Sequence, residues 1–149
     1  MLLEACKSMV KENNFCVLST SKDNLTNSSL MLYLSDPDGT RLYMVTLKGS
    51  MKYFNMEENP EVSLLIDTRE HMLDPKAQVK ALTVYGRSTL ISDKKRGLEI
   101  IDKLVSRHPS LRALAEMDEA TVVQVDVRSF LYLDGVNDAE RVTLTEDEK

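Results

Sequence analysis

The sequence predicts an antiparallel α+β barrel of about six strands with helices inserted between them. Three observations carry that expectation. Short β-prone apolar stretches recur from Phe15 to Leu133, and they outnumber the segments with helical spacing. A compact polar turn, Ser35-Asp36-Pro37-Asp38-Gly39, joins two of them too tightly for a parallel crossover. The last long stretch, Thr121 to Leu133, alternates Val123, Val125 and Val127 with Gln124, Asp126 and Arg128, the period of a half-buried strand.

In chain order, Leu2, Leu3, Cys6, Met9 and Val10 recur at helical spacing, so an amphipathic helix opens the chain over 1–13 and Asn13-Asn14 ends it. Phe15 to Thr20 is a first strand, closed by the turn residues Lys22-Asp23-Asn24. Ser28 to Leu34 and Arg41 to Thr46 follow as a hairpin around the Ser35–Gly39 turn. Gly49-Ser50 breaks the strand pattern, and a short helix from Met51 is stopped by Asn59-Pro60. Val62 to Thr68 and Val79 to Ile91 are strands, with a loop at Glu70 to Lys76 and a bulge or close backbone approach at Gly86. Ser92-Asp93 caps a helix whose Leu98, Ile101, Leu104 and Val105 form an apolar face and which ends at His108-Pro109. A shorter helical turn is expected at Leu111 to Met117. Beyond Gly135 the segment 136–149 reads as a polar tail, mobile at its end. One domain spanning 1–149 is the expectation for a chain of this length.

Composition narrows function. The apolar and charged fractions, 42% and 29%, are those of a soluble globular protein, and no apolar run nears the ~18 residues of a membrane span. Glu4 sits where a signal peptide would be basic, so a cytoplasmic protein is expected. A net charge of −5 with scattered basic residues argues against nucleic acid as a partner. Cys6 and Cys16 lack metal-site spacing and read as packed, reduced thiols, and no metal is expected. No Ser/His/Asp constellation or phosphate-binding glycine-rich loop is present, which leaves hydrolase and nucleotide-triphosphatase readings without support.

The informative segment runs from Leu42 through Lys52. A strand passes through a glycine turn into a helix start, where backbone N–H groups lack partners and the macrodipole favours an anion. Thr46 and Ser50 can add hydroxyl donors, Lys52 a charge, and Gly49 a close backbone approach. An ordinary strand-to-helix turn with a Ser cap is the simpler account on spacing alone.

The order strand, Thr46, short turn, Gly49-Ser50-Met51-Lys52, helix, Asn59-Pro60, strand resembles the flavin-phosphate segment of the pyridoxamine 5'-phosphate oxidase-like split barrels. The likeness extends from about Phe15 to Leu133 and includes Ser28 to Tyr33 and the C-terminal Phe130-Leu131-Tyr132-Leu133-Asp134-Gly135. It implies a Greek-key-like split β-barrel that binds FMN, of the general stress protein and haem-utilisation branch. Carried over by position, Ser28, Ser29 and Leu30 line the flavin, Val45 and Thr46 lie beside it, and Ser50, the Met51 backbone N–H and Lys52 hold its phosphate. Two departures matter. Met51 stands where Arg is usual, which removes a bidentate phosphate donor, and Ala81 stands where oxidases of pyridoxamine phosphate carry Gln. A true pyridoxamine-phosphate oxidase is not expected.

The resemblance therefore implies an FMN-dependent oxidoreductase acting on a small molecule, with no catalytic side chain identified, because the flavin carries the redox chemistry. A non-catalytic flavin- or haem-binding module of the same barrel is the alternative. A homodimer with the flavin at its interface is expected, since a small barrel has no room inside for an isoalloxazine ring and the strands around Ser28–Leu34 and Val79–Tyr85 are apolar on more than one face. His71 and His108 read as structural or surface residues, Lys94-Lys95-Arg96 as a solvated face, and Met31, Met44 and Met56 as core filling.

Overall fold

A computed structural model of the chain describes residues 1–135 and 138–149. Its elements in order are α1 (Leu2–Glu12), β1 (Phe15–Lys22), β2 (Leu25–Leu32), β3 (Leu34–Ser35), β4 (Arg41–Leu47), α2 (Met51–Glu58), β5 (Glu61–Asp67), β6 (Lys80–Leu90), α3 (Lys94–Arg107), α4 (Arg112–Ala115), β7 (Ala120–Asp134) and β8 (Asp138–Thr143). Every ladder is antiparallel, and the strands run β2-β1-β5-β6-β7-β4-β3, with β8 on the remaining edge of β7. The first and last strands of that order are separated in sequence by Tyr33 alone. The sheet therefore closes on itself through one continuous segment. The seam is paired only at Leu34 with Tyr43 and Ser35 with Leu42, and no ladder joins β2 to β4 among the described residues. This is an α+β split barrel, as the sequence predicts.

Local chemistry explains where the strands begin and end. Asp23 and Asn24 adopt φ of 51° and 63°, which makes the two-residue turn whose twist suits a hairpin, so β1 pairs with β2 from Phe15–Leu32 to Lys22–Leu25. The expected strand over Ser28–Leu34 starts earlier and has β1, not β4, as its main partner. It breaks at Tyr33 because that side chain turns fully inward to donate to the Val10 carbonyl at 2.6 Å while its N–H goes to Asn14 O. The turn before β4 forms as expected. The Asp36 carboxylate accepts from the N–H groups of Thr40 and Arg41 at 3.0 and 3.1 Å, and Gly39 sits at φ 72°.

Alternation fills the barrel. Cys16, Leu18, Leu42, Met44, Leu64, Ile66, Leu82, Val84 and Phe130 point inward and are buried, with Cys6, Met9 and Val10 of α1 and Met56 of α2 closing the ends. Met31, Met44 and Met56 are core residues. A second cluster lies on the opposite face of β4 and β7, where Ile100 and Leu104 of α3 cover Val45 and Val122. Each such buried side chain contributes about 1.5–3 kcal/mol. The carbonyls left open at the end of α1 are met by side chains from four places. Asn13 reaches Met9 O, Tyr33 reaches Val10 O, Arg107 reaches Lys11 O, and His71 lies 3.2 Å from Glu12 O.

Gly86 is where the close approach was expected. The β6–β7 register shifts there, Tyr85 pairing with Ser129 and Gly86 with Val127, so Arg128 is the extra residue of a bulge. A Cβ on Gly86 would lie 2.6 Å from Asp126 O. Two details differ from expectation. The strands number eight among the described residues, against about six, because the second expected strand is interrupted at Tyr33 and one more follows Gly135. The polar tail of 136–149 is the second. Val136 and Asn137 lie outside the described residues, but Asp138–Thr143 forms β8 along β7, and Leu144 is buried in the main core. The loop expected at Glu70–Lys76 opens within a short 3₁₀ turn at Arg69–His71.

Candidate functional site

The turn from β4 into α2 is built as an anion site would be. Gly49 takes φ 93°, and a Cβ there would touch nothing within 4 Å, so backbone conformation rather than space calls for glycine. Ser50 is the N-cap of α2, its Oγ accepting from Tyr53 N–H at 3.3 Å. Thr46, buried at the end of β4, places Oγ1 3.2 Å from Ser50 Oγ. The N–H groups of Met51 and Lys52 have no acceptor among the described residues. Two hydroxyls, two open N–H groups and the half-buried Lys52 thus lie within one turn of backbone. The residues present fit a phosphate.

α2 is pinned over the β1–β2 hairpin. Asn55 donates to Thr20 Oγ1 at 3.0 Å, Asn59 to Ser21 Oγ at 3.1 Å, and Lys22 pairs with Glu58 at 3.0 Å. That packing sets β2 beside α2. Strand alternation then divides the predicted flavin-lining residues. Ser28 and Leu30 are exposed on the outer face, whereas Ser29 points the other way and accepts from Asn27 at 3.2 Å. The Val45 side chain belongs to the cluster beneath α3, which leaves only its backbone to offer a ligand. Thr46 and Ser50 are brought into direct contact. No side-chain hydrogen bond among the described residues joins Ser28, Ser29 or Leu30 to Thr46, Ser50 or Lys52.

The outer face of the barrel carries a feature that is only partly legible in the sequence. Across six strands the register aligns Leu30, Val17, Leu65, Thr83, Leu131 and Arg141 in one row, and Ser28, Ser19, Ser63, Tyr85, Ser129 and Thr143 in the next. Arg141 is the one charged residue of the two rows, and it lies over the Tyr85 ring, 4.9 Å from its centroid. Leu30 is 71% exposed, and with Phe15, Val17 and Leu65 it floors a groove of about 390 Å³ rimmed by Asp67, Arg69 and Glu70. The signal for Phe15 and Val17 is the run Phe15-Cys16-Val17-Leu18, which is apolar on both faces of a strand. A second cleft, of about 900 Å³, lies between α3, α4 and the ends of β6 and β7, and no sequence motif points to it.

The other polar candidates are structural. His108 is buried with Nε2 2.8 Å from Tyr33 O, and His71 serves the end of α1. Burial pushes the Cys6 and Cys16 thiols up to about 11 and about 12, which keeps them protonated and unreactive near neutrality. Lys94, Lys95 and Arg96 are exposed, with Arg96 donating to Gln124 Oε1. Among the described residues no group of three His, Cys, Asp or Glu side chains could hold a metal ion, and no helix is long and apolar enough to cross a membrane.

Known proteins place this architecture. No curated protein matches the sequence. Among solved structures, general stress protein 26 from Bacillus anthracis str. Sterne is 20% identical with a TM-score of 0.71, covering 96% of this chain and 98% of that one. An FAD-binding protein from Mesorhizobium loti is 18% identical with a TM-score of 0.73, over 89% and 94% of the two chains. A heme binding protein from Mycobacterium smegmatis is 14% identical with a TM-score of 0.80, over 96% of this chain and 58% of its own. At these identities the likeness is one of fold. The profile of the Pyridoxamine 5'-phosphate oxidase family matches residues 2–134, nearly the whole barrel including the β4–α2 turn. With that match and the closed but split sheet, the chain belongs to the pyridoxamine 5'-phosphate oxidase-like split-barrel family.

Proposed function

We propose that this chain is an FMN-binding protein that acts, as a homodimer, as a flavin-dependent oxidoreductase on a small molecule. The capped turn carries the reading, since hydroxyls, open N–H groups and a lysine converge where β4 enters α2. Ser50, the Met51 N–H and Lys52 hold the phosphate. Ser28 and Leu30 offer the outer face of β2 to the ring, Ser29 offers backbone, and Val45 and Thr46 flank the entry. Bound flavin supplies the electron or hydride transfer, and the protein supplies position and exclusion of water. Ala81, where a Gln would serve pyridoxamine phosphate, argues for a different substrate. The charge-poor rows across six strands support the homodimer, because a second copy buries them and shelters a flavin lying on the outer face.

The test is titration with FMN followed by flavin absorbance. Saturable binding is expected, and Lys52→Ala should weaken it roughly tenfold, about 1.5 kcal/mol for one charge-assisted contact, with the fold intact. A protein that takes up no FMN is not a flavoprotein of this kind. Haem binding by the same barrel is the second reading, favoured by Met51 in place of a second phosphate cation and by the heme binding protein among the similar structures. A Soret shift with haemin, and no flavin uptake, would select it.

A further inference from the structure

We propose that the buried hydrogen bond between Asn55 and Thr20 positions the flavin site, by setting the span between the phosphate turn and the strand that faces the ring. The inference rests on the flavin reading and adds to it a part of the site that touches no ligand. The phosphate turn follows β4, the ring-facing residues Ser28 and Leu30 lie on β2, and no ladder joins these two strands among the described residues. Sheet hydrogen bonds therefore leave their separation open. α2 fixes it, leaving β4 through the Gly49 turn and packing on β1 and β2.

The bond lies close to both halves. Asn55 follows Met51 by one helical turn, and Thr20 is the cross-strand partner of Asn27, the residue before Ser28. Asn55 Nδ2 donates to Thr20 Oγ1 at 3.0 Å. The other polar contacts of α2 with the hairpin restrain it less. The Lys22–Glu58 pair is open to solvent, and Asn59 meets Ser21 past the far end of the helix, about two turns from the phosphate turn.

Both partners are polar where the fold accepts apolar side chains. Cys16, Leu18 and Thr20 are the inward positions of β1, Thr20 is 2% exposed, and Asn55 is 7% exposed next to the core residue Met56. Replacing both partners of a buried hydrogen bond by apolar groups of the same shape is close to neutral for stability. Stability therefore does not call for this pair. Direction does, because the bond forms at one axial position and one rotation of α2, whereas apolar contact alone tolerates sliding and turning. A ligand anchored at two ends gains from both only when the span between their sites matches its own. Loss of the bond thus falls on FMN and spares riboflavin, which lacks the phosphate.

Fluorescence titration of the full chain with FMN and with riboflavin, beside thermal denaturation of the same samples, tests this. Thr20→Val combined with Asn55→Leu removes the bond and nearly keeps the shapes. The pair should weaken FMN roughly tenfold, leave riboflavin within about twofold and hold Tm within about 2 °C. Thr20→Ser, which keeps the hydroxyl, should bind FMN as the wild type does. Glu58→Gln, which removes an exposed contact of the same helix, should leave FMN within about twofold. Should the double variant lose its cooperative melt, Thr20→Val alone repeats the test. FMN affinity unchanged in a folded variant, a loss shared by Thr20→Ser, or equal weakening of FMN and riboflavin overturns the positioning role while leaving the flavin reading intact. Uptake of neither flavin by the wild type overturns both.

Discussion

Single atoms decide several positions in this barrel. A methyl group on Gly86 would lie 2.6 Å from Asp126 O and 2.8 Å from Val125 Cγ1, so β6 and β7 can run this close only without a side chain. Gly86→Ala must push the strands apart at the bulge, at a cost of about 2 kcal/mol, which for a chain of this length lowers Tm by roughly 4–8 °C. Thermal denaturation reads the effect, and an unchanged Tm would mean the bulge gives way freely. This position was legible in the sequence, because a glycine isolated within a strand weakens it unless a bulge or a close backbone approach requires the missing side chain. Ser50 was legible as a cap for the same local reason. Its contact with Thr46 follows from the Gly49 turn bringing the end of β4 back onto the start of α2.

At the level of elements, hydrophobic period and turn residues located α1, β1, β4, α2, β5, β6, α3 and β7 within a few residues of where they lie. The failures share a cause. β8 carries Asp138, Glu140 and Arg141, and its apolar content is confined to Ala139 and Val142, so composition alone favours a solvated tail. Its pairing comes from the edge that β7 leaves open beyond the end of β4, a consequence of β7 being longer than its neighbour. Leu144 then drops into the main core at 4% exposure. Leu144→Ala should therefore cost about 2–4 kcal/mol in chemical denaturation. A loose tail would register no change. The break at Tyr33 was hidden similarly, since Leu30-Met31-Leu32-Tyr33-Leu34 is one unbroken apolar run and only the distant Val10 carbonyl pulls Tyr33 out of the ladder.

For the whole molecule, the consequence of register is a face with little charge. Rows that begin at Leu30 and Ser28 cross six strands with Arg141 as their single charge, in a chain that is 29% charged. A homodimer on this face is expected at micromolar concentration by light scattering. Leu65→Glu, at a residue already 40% exposed in the monomer, should give the monomer mass with little loss of thermal stability. A wild-type monomer, or a Leu65→Glu dimer, would put the subunit contact elsewhere or abolish it.

Local information by itself determined the periodic elements, the glycine turn and cap at Gly49-Ser50, the bulge at Gly86 and the class of fold, because each depends on residues within a turn or on alternation along one strand. Only the tertiary structure decided what lies side by side. Closure through Tyr33, the addition of β8, the placing of Val45 beneath α3 and of Ser29 on the face opposite Ser28 and Leu30, the charge-poor outer rows and the cleft beside α3 all arise from ladders and packing between residues far apart in the chain. Register sets which of two faces a side chain takes, and a shift of one residue exchanges them, so a sequence read along its length names the residues of a site before it can say which of them meet.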